Sequence, residues 1–202
     1  DLDRHQMTAD ILNVPRRQAK NINFAWQYGA ADNKLSSMAG ISASFFRESM
    51  AVLYPGVVSF MDDTSALAQR RYREERHAYV HTLFGYRLSV PVGKWYVATN
   101  YVIQGTAGDI GKNAMIDCQR YIDENDLTKH LRIVLNVHDE LVFEVHRSIP
   151  KHHMTHLRDI MASQGDKIGC PTPVEVSRTS TNWGNCHKAR LPKVEGVTIL
   201  NE

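Results

Sequence analysis

The stretch VLNVHDELVFEV, residues 134–145, limits the possible folds more than any other part of the chain. Its Val, Leu and Phe residues read as two short strands, yet His138, Asp139 and Glu140 stand together at the bend between them. Burying carboxylates at such a bend costs roughly several kcal/mol unless they are paired, protonated or bound to a cation. What these polar residues face is the question that the rest of the chain must answer.

Elsewhere the pattern is mostly helical. Residues 15–28 read as a helix, with Pro15 in the first turn and Gly29 just past the end. Further helices are expected over 34–53 and 57–78, the latter carrying the charge run QRRYREERH on its exposed side. TLFGYRLSVP reads as a hairpin around Gly85. Residues 104–122 read as a helix with Ile110, Ala114, Ile116 and Cys118 as buried candidates, and 149–163 as another. Strands are expected over 131–137 and 141–145, and PTPVEVS, 171–177, is a candidate final strand. Helices first and strands later predict an α+β fold, a helical lobe beside an antiparallel sheet.

Composition excludes more than it selects. A net charge of +2 among 46 charged side chains says nothing about a nucleic-acid partner, which depends on a local patch. Three cysteines without a CxxC pair argue against a disulfide framework and a standard structural zinc site, and predict reduced thiols in an intracellular protein. No apolar run approaches the roughly 20 residues of a membrane span, and DLDRHQMTAD lacks the features of a secretion signal.

Arg16, Lys20, Phe24 and Tyr28 recur every four residues, so they share one slowly drifting helix face. An amphipathic helix whose cations snorkel to water accounts for this spacing. So does a ligand: the cations can grip phosphates while the rings contact a sugar and a base.

These residues carry a resemblance. RRQAKNINFAWQYG is similar to motif B of the family A DNA polymerases, R-x3-K-x3-F/Y-x3-Y-G, on the fingers helix. IQGTAGDIGKNAM, 103–115, resembles the family's QGTAAD helix, and VHDE, 137–140, resembles its motif C, in the same order. DLDRHQMTADIL resembles the D-x-H-x-x-T-A segment before motif B through Asp3, His5, Thr8 and Ala9, and NWGNCH, 182–187, is similar to the chain ends of some phage members.

The resemblance implies part of a right-hand polymerase. Residues 1–90 would form fingers, with the motif B helix at about 15–29. Residues 91–202 would form part of an antiparallel-sheet palm, with the QGTA helix at about 104–122 and the motif C hairpin at about 131–146. It implies template-directed addition of dNTPs to a primer 3′-hydroxyl with two Mg²⁺ ions. Asp139 would bind metal, with Glu140 supporting or merely solvated. His5, Arg16 and Lys20 would contact the triphosphate, with Lys20 nearest the leaving pyrophosphate and hence catalytic; Phe24 would pack on the sugar and Tyr28 beside the templating base. Asn100, Gln104 and His138 would touch primer and template, Asn100 and Gln104 from the minor-groove side and His138 at the primer terminus.

Motif A, D-Y/F-S-x-x-E-x-R, which supplies the second carboxylate, does not occur in this sequence. The expectation is an enzyme completed by an upstream segment or partner chain that carries motif A and the thumb. Made alone, the piece is expected to be poorly soluble or molten. Working in the cytoplasm of a bacterium or a phage-infected cell follows from the same resemblance. Ala25, Trp26, Val102 and Gly108 depart from common family residues, and no Arg precedes Asn100 at the family's spacing. Two other readings compete. One is an inactive nucleic-acid-binding subunit with the same fold. The other is a zinc site on His152, His153 and His156, which lacks a general-base Glu between the histidines.

Overall fold

A computed structural model describes residues 3–188, with backbone alone for His187 and Lys188. The chain divides into two compact units on either side of Thr106 and Ala107. Each is described by itself.

The first unit opens with α1 (Arg4–Leu12) and α2 (Arg16–Gln27). Asp3 caps α1, its Oδ1 accepting from the backbone N–H of His5 at 2.9 Å and of Gln6 at 3.1 Å. Pro15, at φ −57°, starts α2, whose buried residues Ala19, Ile22, Asn23 and Trp26 recur at helical spacing. Gly29 ends it at φ 78°, where a Cβ would come within 2.4 Å of Tyr96 Cδ2, so both backbone and space require glycine. Helices α3 (Asp32–Ala39), α4 (Ala43–Leu53) and α5 (Pro55–Glu75) follow.

The single helix expected over 34–53 is thus two. Gly40 at φ 70° ends α3, and Ser42 Oγ caps α4 by accepting from Phe45 N–H at 3.3 Å. Leu12, Ile22, Trp26, Leu35, Phe46 and Met50 form the core of this bundle, each contributing about 1.5–3 kcal/mol on burial. Trp26, a departure from the family pattern, meets Phe46 edge-on with ring centroids 6.3 Å apart.

Strands β1 (Tyr79–His81) and β2 (Arg87–Ser89) form the expected hairpin, with Val80 opposite Leu88 and Gly85 at φ 86° in its loop. It packs on the start of α6 (Ala98–Glu124), which runs from the first unit into the second. A Cβ on Gly105 would meet Leu88 Cδ1 at 2.5 Å and Thr82 Cγ2 at 2.8 Å. Thr106 Oγ1 accepts from Leu83 N–H at 3.0 Å. Gly and Thr of the QGT triplet are therefore there to seat the hairpin.

In the second unit, β3 (Leu131–Val137) and β4 (Glu140–Val145) form the antiparallel ribbon of the opening motif, followed by α7 (Lys151–Ser163). Leu131 faces Val145, Ile133 faces Phe143 and Val137 faces Glu140, with an irregularity between Ile133 and Leu135. Cys118, Ile122, Leu131 and Leu157 are buried at its core, with Leu141 and Phe143 packed against them.

Two expectations are corrected here. Ile116 is 53% exposed, because the buried stripe runs Ala114, Cys118, Ile122 and a residue two positions off that stripe lies about 200° away from it. Of 171–177 only Ser177 enters a strand, β5 (Ser177–Arg178), which pairs with β6 (His187–Lys188); the prolines at 171 and 173 interrupt pairing before it.

Among the described residues the sheets are separate two-stranded antiparallel ribbons. The fold class is α+β, as expected. No helix among the described residues is long and apolar enough to cross a membrane.

Candidate active site

The candidate residues fall in both units. In the first, α2 carries a row of side chains along its exposed side. Phe24 and Tyr28 stack with centroids 6.0 Å apart and planes 18° from parallel, Lys20 Nζ lies 6.0 Å from the Phe24 centroid, and the His5 ring of α1 lies 5.8 Å from Phe24. His5, Lys20, Phe24 and Tyr28 are thus brought together. Gln104 joins them, its Nε2 donating to the Tyr28 hydroxyl at 3.1 Å. Arg16 stands at the head of the row, with Nε donating to Asp3 Oδ2 at 2.6 Å. That guanidinium holds the Asp3 carboxyl below the usual carboxylate range, helped by the capping N–H groups. Asn100 lies on the first turns of α6, and its Oδ1 is buried without a partner among the described residues.

The α1–α2 contact holds a buried polar network that the residue pattern did not reveal. Asn23, 2% exposed, and Thr8, fully buried, hydrogen-bond at 3.0 Å. The Thr8 hydroxyl lies 2.9 Å from the Tyr54 hydroxyl, and Tyr54 donates to the Arg4 carbonyl at 2.6 Å. Asn23 Nδ2 also reaches His5 Nδ1 at 3.1 Å. Partial burial lowers the His5 pKa, as do Arg4, Arg16 and Lys20, against an opposing pull from Asp3. A polar Asn in phase with Ala19, Ile22 and Trp26 was the available signal: a buried amide must find partners.

In the second unit, Val137 and Glu140 pair across a two-residue turn made of His138 and Asp139, both exposed. His138 takes φ 55°, whereas Asp139 is not among the positive-φ residues. A positive φ at the first central position of a two-residue hairpin is a conformation that favours glycine. Glu140 Oε1 accepts from Trp183 Nε1 at 3.0 Å, a partner not foreseen because it lies 43 residues away. Asp139 in the turn and Glu140 at the start of β4 are hard oxygen donors, the type Mg²⁺ accepts. They are two adjacent carboxylates, and no group of three or more potential ligands exists among the described residues. The donor chemistry of these two carboxylates fits Mg²⁺.

Residues 2–185 match the family model described as DNA polymerase family A. The chain is 32% identical to DNA polymerase I of Pseudomonas aeruginosa, covering 93% of this chain and 22% of that protein. It is also 32% identical to the DNA polymerase of Mycobacterium phage L5, covering 93% of this chain and 30% of that one. The POL domain of Pol1 from M. smegmatis, solved in complex with DNA primer-template and dNTP, superimposes with a TM-score of 0.62 at 25% identity over 79% of this chain and 30% of that chain. The chain thus spans less than a third of the length of these relatives. With residues 2–185 matching the model and the ordered motifs lying within them, the chain belongs to DNA polymerase family A.

Proposed function

We propose that this chain supplies the nucleotide-binding helix and one metal-binding carboxylate of a template-directed DNA polymerase, which extends a primer 3′-hydroxyl with dNTPs. Residues 1–90 act as fingers and 91–202 as part of the palm. The observation that carries this reading is the row on α2: a cation, then stacked rings, with His5 at its side and Gln104 holding Tyr28. A nucleoside triphosphate presents phosphate, sugar and base in that order.

In this reading Lys20 and His5 bind phosphate oxygens, and Lys20 neutralises the charge that develops on departing pyrophosphate. Arg16 joins them by exchanging its Asp3 partner for phosphate. Phe24 packs on the sugar and Tyr28 closes the space beside the templating base. Gln104 and Asn100 check the minor-groove edge, where acceptors are alike in every Watson–Crick pair, and His138 meets the primer terminus. Asp139 holds a divalent cation, with Glu140 in support. When bound, paired Mg²⁺ ions supply activation of the 3′-hydroxyl and stabilisation of the pyrophosphate. The second carboxylate comes from an upstream segment or partner chain with motif A and the thumb. The enzyme works inside the cell on primer-template DNA.

Primer extension tests this. The chain is assayed with Mg²⁺, alone and then with the segment carrying motif A. Extension only in the mixture supports the reading, and so does its loss in Asp139→Asn. DNA binding by the mixture without any extension supports the inactive-subunit reading instead.

A further inference from the structure

We propose that Asn23 is a positioning residue that fixes the His5 imidazole as the neutral tautomer protonated on Nε2, so that His5 offers an N–H donor to a phosphate oxygen. The proposal rests on the reading of His5 as a triphosphate contact.

Asn23 is 2% exposed, so its amide must find its partners within the protein. Its Nδ2 lies 3.0 Å from Thr8 Oγ1 and 3.1 Å from His5 Nδ1. Thr8 is in turn anchored by the Arg4 carbonyl at 3.0 Å and the Tyr54 hydroxyl at 2.9 Å. The Thr8 hydroxyl also lies 3.1 Å from Asn23 Oδ1. With the amide nitrogen turned to the ring, as here, Nδ2 keeps a hydrogen for His5 Nδ1 whichever way that hydroxyl turns, and Nδ1 accepts it.

The charged groups around His5 are Asp3, Arg4, Arg16 and Lys20. Three cations against one anion, added to partial burial, oppose the imidazolium. A neutral ring has one N–H, and with Nδ1 taken as acceptor the hydrogen sits on Nε2. Phosphate oxygens only accept hydrogen bonds. The other tautomer would turn a bare nitrogen lone pair towards them, so one buried amide decides whether His5 attracts the triphosphate or repels it.

The test uses the polymerase assembled from this chain and its motif A segment, with ¹⁵N-labelled histidine. In the wild type, His5 is expected to show a protonated Nε2 and a bare Nδ1 at neutral pH. Asn23→Asp keeps the shape but replaces the donor by an acceptor, so Nδ1 becomes protonated and the imidazole pKa rises. At about pH 8 the dNTP KM of this variant is expected to rise about tenfold, with kcat changed less than about threefold. As pH falls through the raised pKa, the imidazolium regains its Nε2–H and the KM defect shrinks. A loss of packing alone would not recover in this way. A wild-type His5 protonated on Nδ1 overturns the proposal even if the variant does not fold, and so does a KM defect that persists unchanged at low pH. If the wild type fails to extend primers, the functional reading falls, while the ring-nitrogen signals still report on Asn23.

Discussion

Replacing His138 by glycine should make the protein more stable and a poorer polymerase. His138 occupies the first central position of the motif C turn at φ 55°, where a side chain costs about 1–2 kcal/mol relative to ordinary backbone. Glycine removes that penalty but brings a more mobile unfolded chain, which costs about 0.5–1 kcal/mol. The difference favours His138→Gly by roughly 0.5–1 kcal/mol, a rise in Tm of roughly 2 °C for a chain of this size. His138→Ala is the control: it keeps the strained φ and removes the imidazole, so it gains no stability. On the proposed role of His138 at the primer terminus, both variants lose in the assembled polymerase a contact worth about 0.5–1.5 kcal/mol and should extend roughly 3–10-fold more slowly. Thermal melts and single-nucleotide extension rates read the two effects separately. A glycine variant that melts at or below the wild type refutes the strain argument. Extension at the wild-type rate by both variants removes His138 from the site.

Three further outcomes follow from particular contacts. Phe24 stacks on Tyr28 and carries no hydroxyl, so Phe24→Tyr, which adds a group able to replace the missing sugar 3′-hydroxyl, should relax discrimination against dideoxynucleotides about tenfold; unchanged dideoxy incorporation by an active variant counts against the motif B alignment. Asp117 is held below the usual carboxylate range chiefly by the Gln164 amide, then by Lys167 and Arg120, with burial opposing. Its folded pKa lies below its unfolded value, so its contribution is full above about pH 4 and disappears as pH falls through the folded value; urea midpoints should separate wild type from Asp117→Asn at neutral pH and converge in acid, and a pH-independent gap would mean that charge is not involved. Burial, with Asp117 beside it, pushes the Cys118 thiol up to about 12, whereas Cys170 and Cys186 are exposed. A thiol reagent should therefore modify those two in the native protein and reach Cys118 only after unfolding; equal rates at all three would show that the α6 core opens readily.

What could be read from the residues was local. Spacing and breakers predicted α2 almost to its ends, because a helix between Pro15 and Gly29 is decided within its own turns. They failed at Gly40, since a glycine inside a helical pattern reads the same whether it continues at negative φ or stops at φ 70°. Ile116 was misplaced because in a helix apolar on several sides the buried face is chosen by what packs against it, here β3, β4 and α7.

The same distinction runs through the candidate site. Arg16, Lys20, Phe24 and Tyr28 were visible because they repeat along one helix, whereas Asn23 was overlooked inside that very segment. Asn23 offers no row of charge, only a polar group at a core position. Its partners Thr8 and His5 lie 15 and 18 residues before it, and Tyr54, which anchors Thr8, lies 46 residues beyond Thr8. Trp183 reaches Glu140 across a similar gap. Charged and aromatic residues in a row advertise themselves by type and period. Single polar groups on apolar faces do not, because a buried amide is satisfied only by partners that the fold brings from afar. The Asn in phase with Ala19, Ile22 and Trp26 marks a buried polar network that lies behind the charged row.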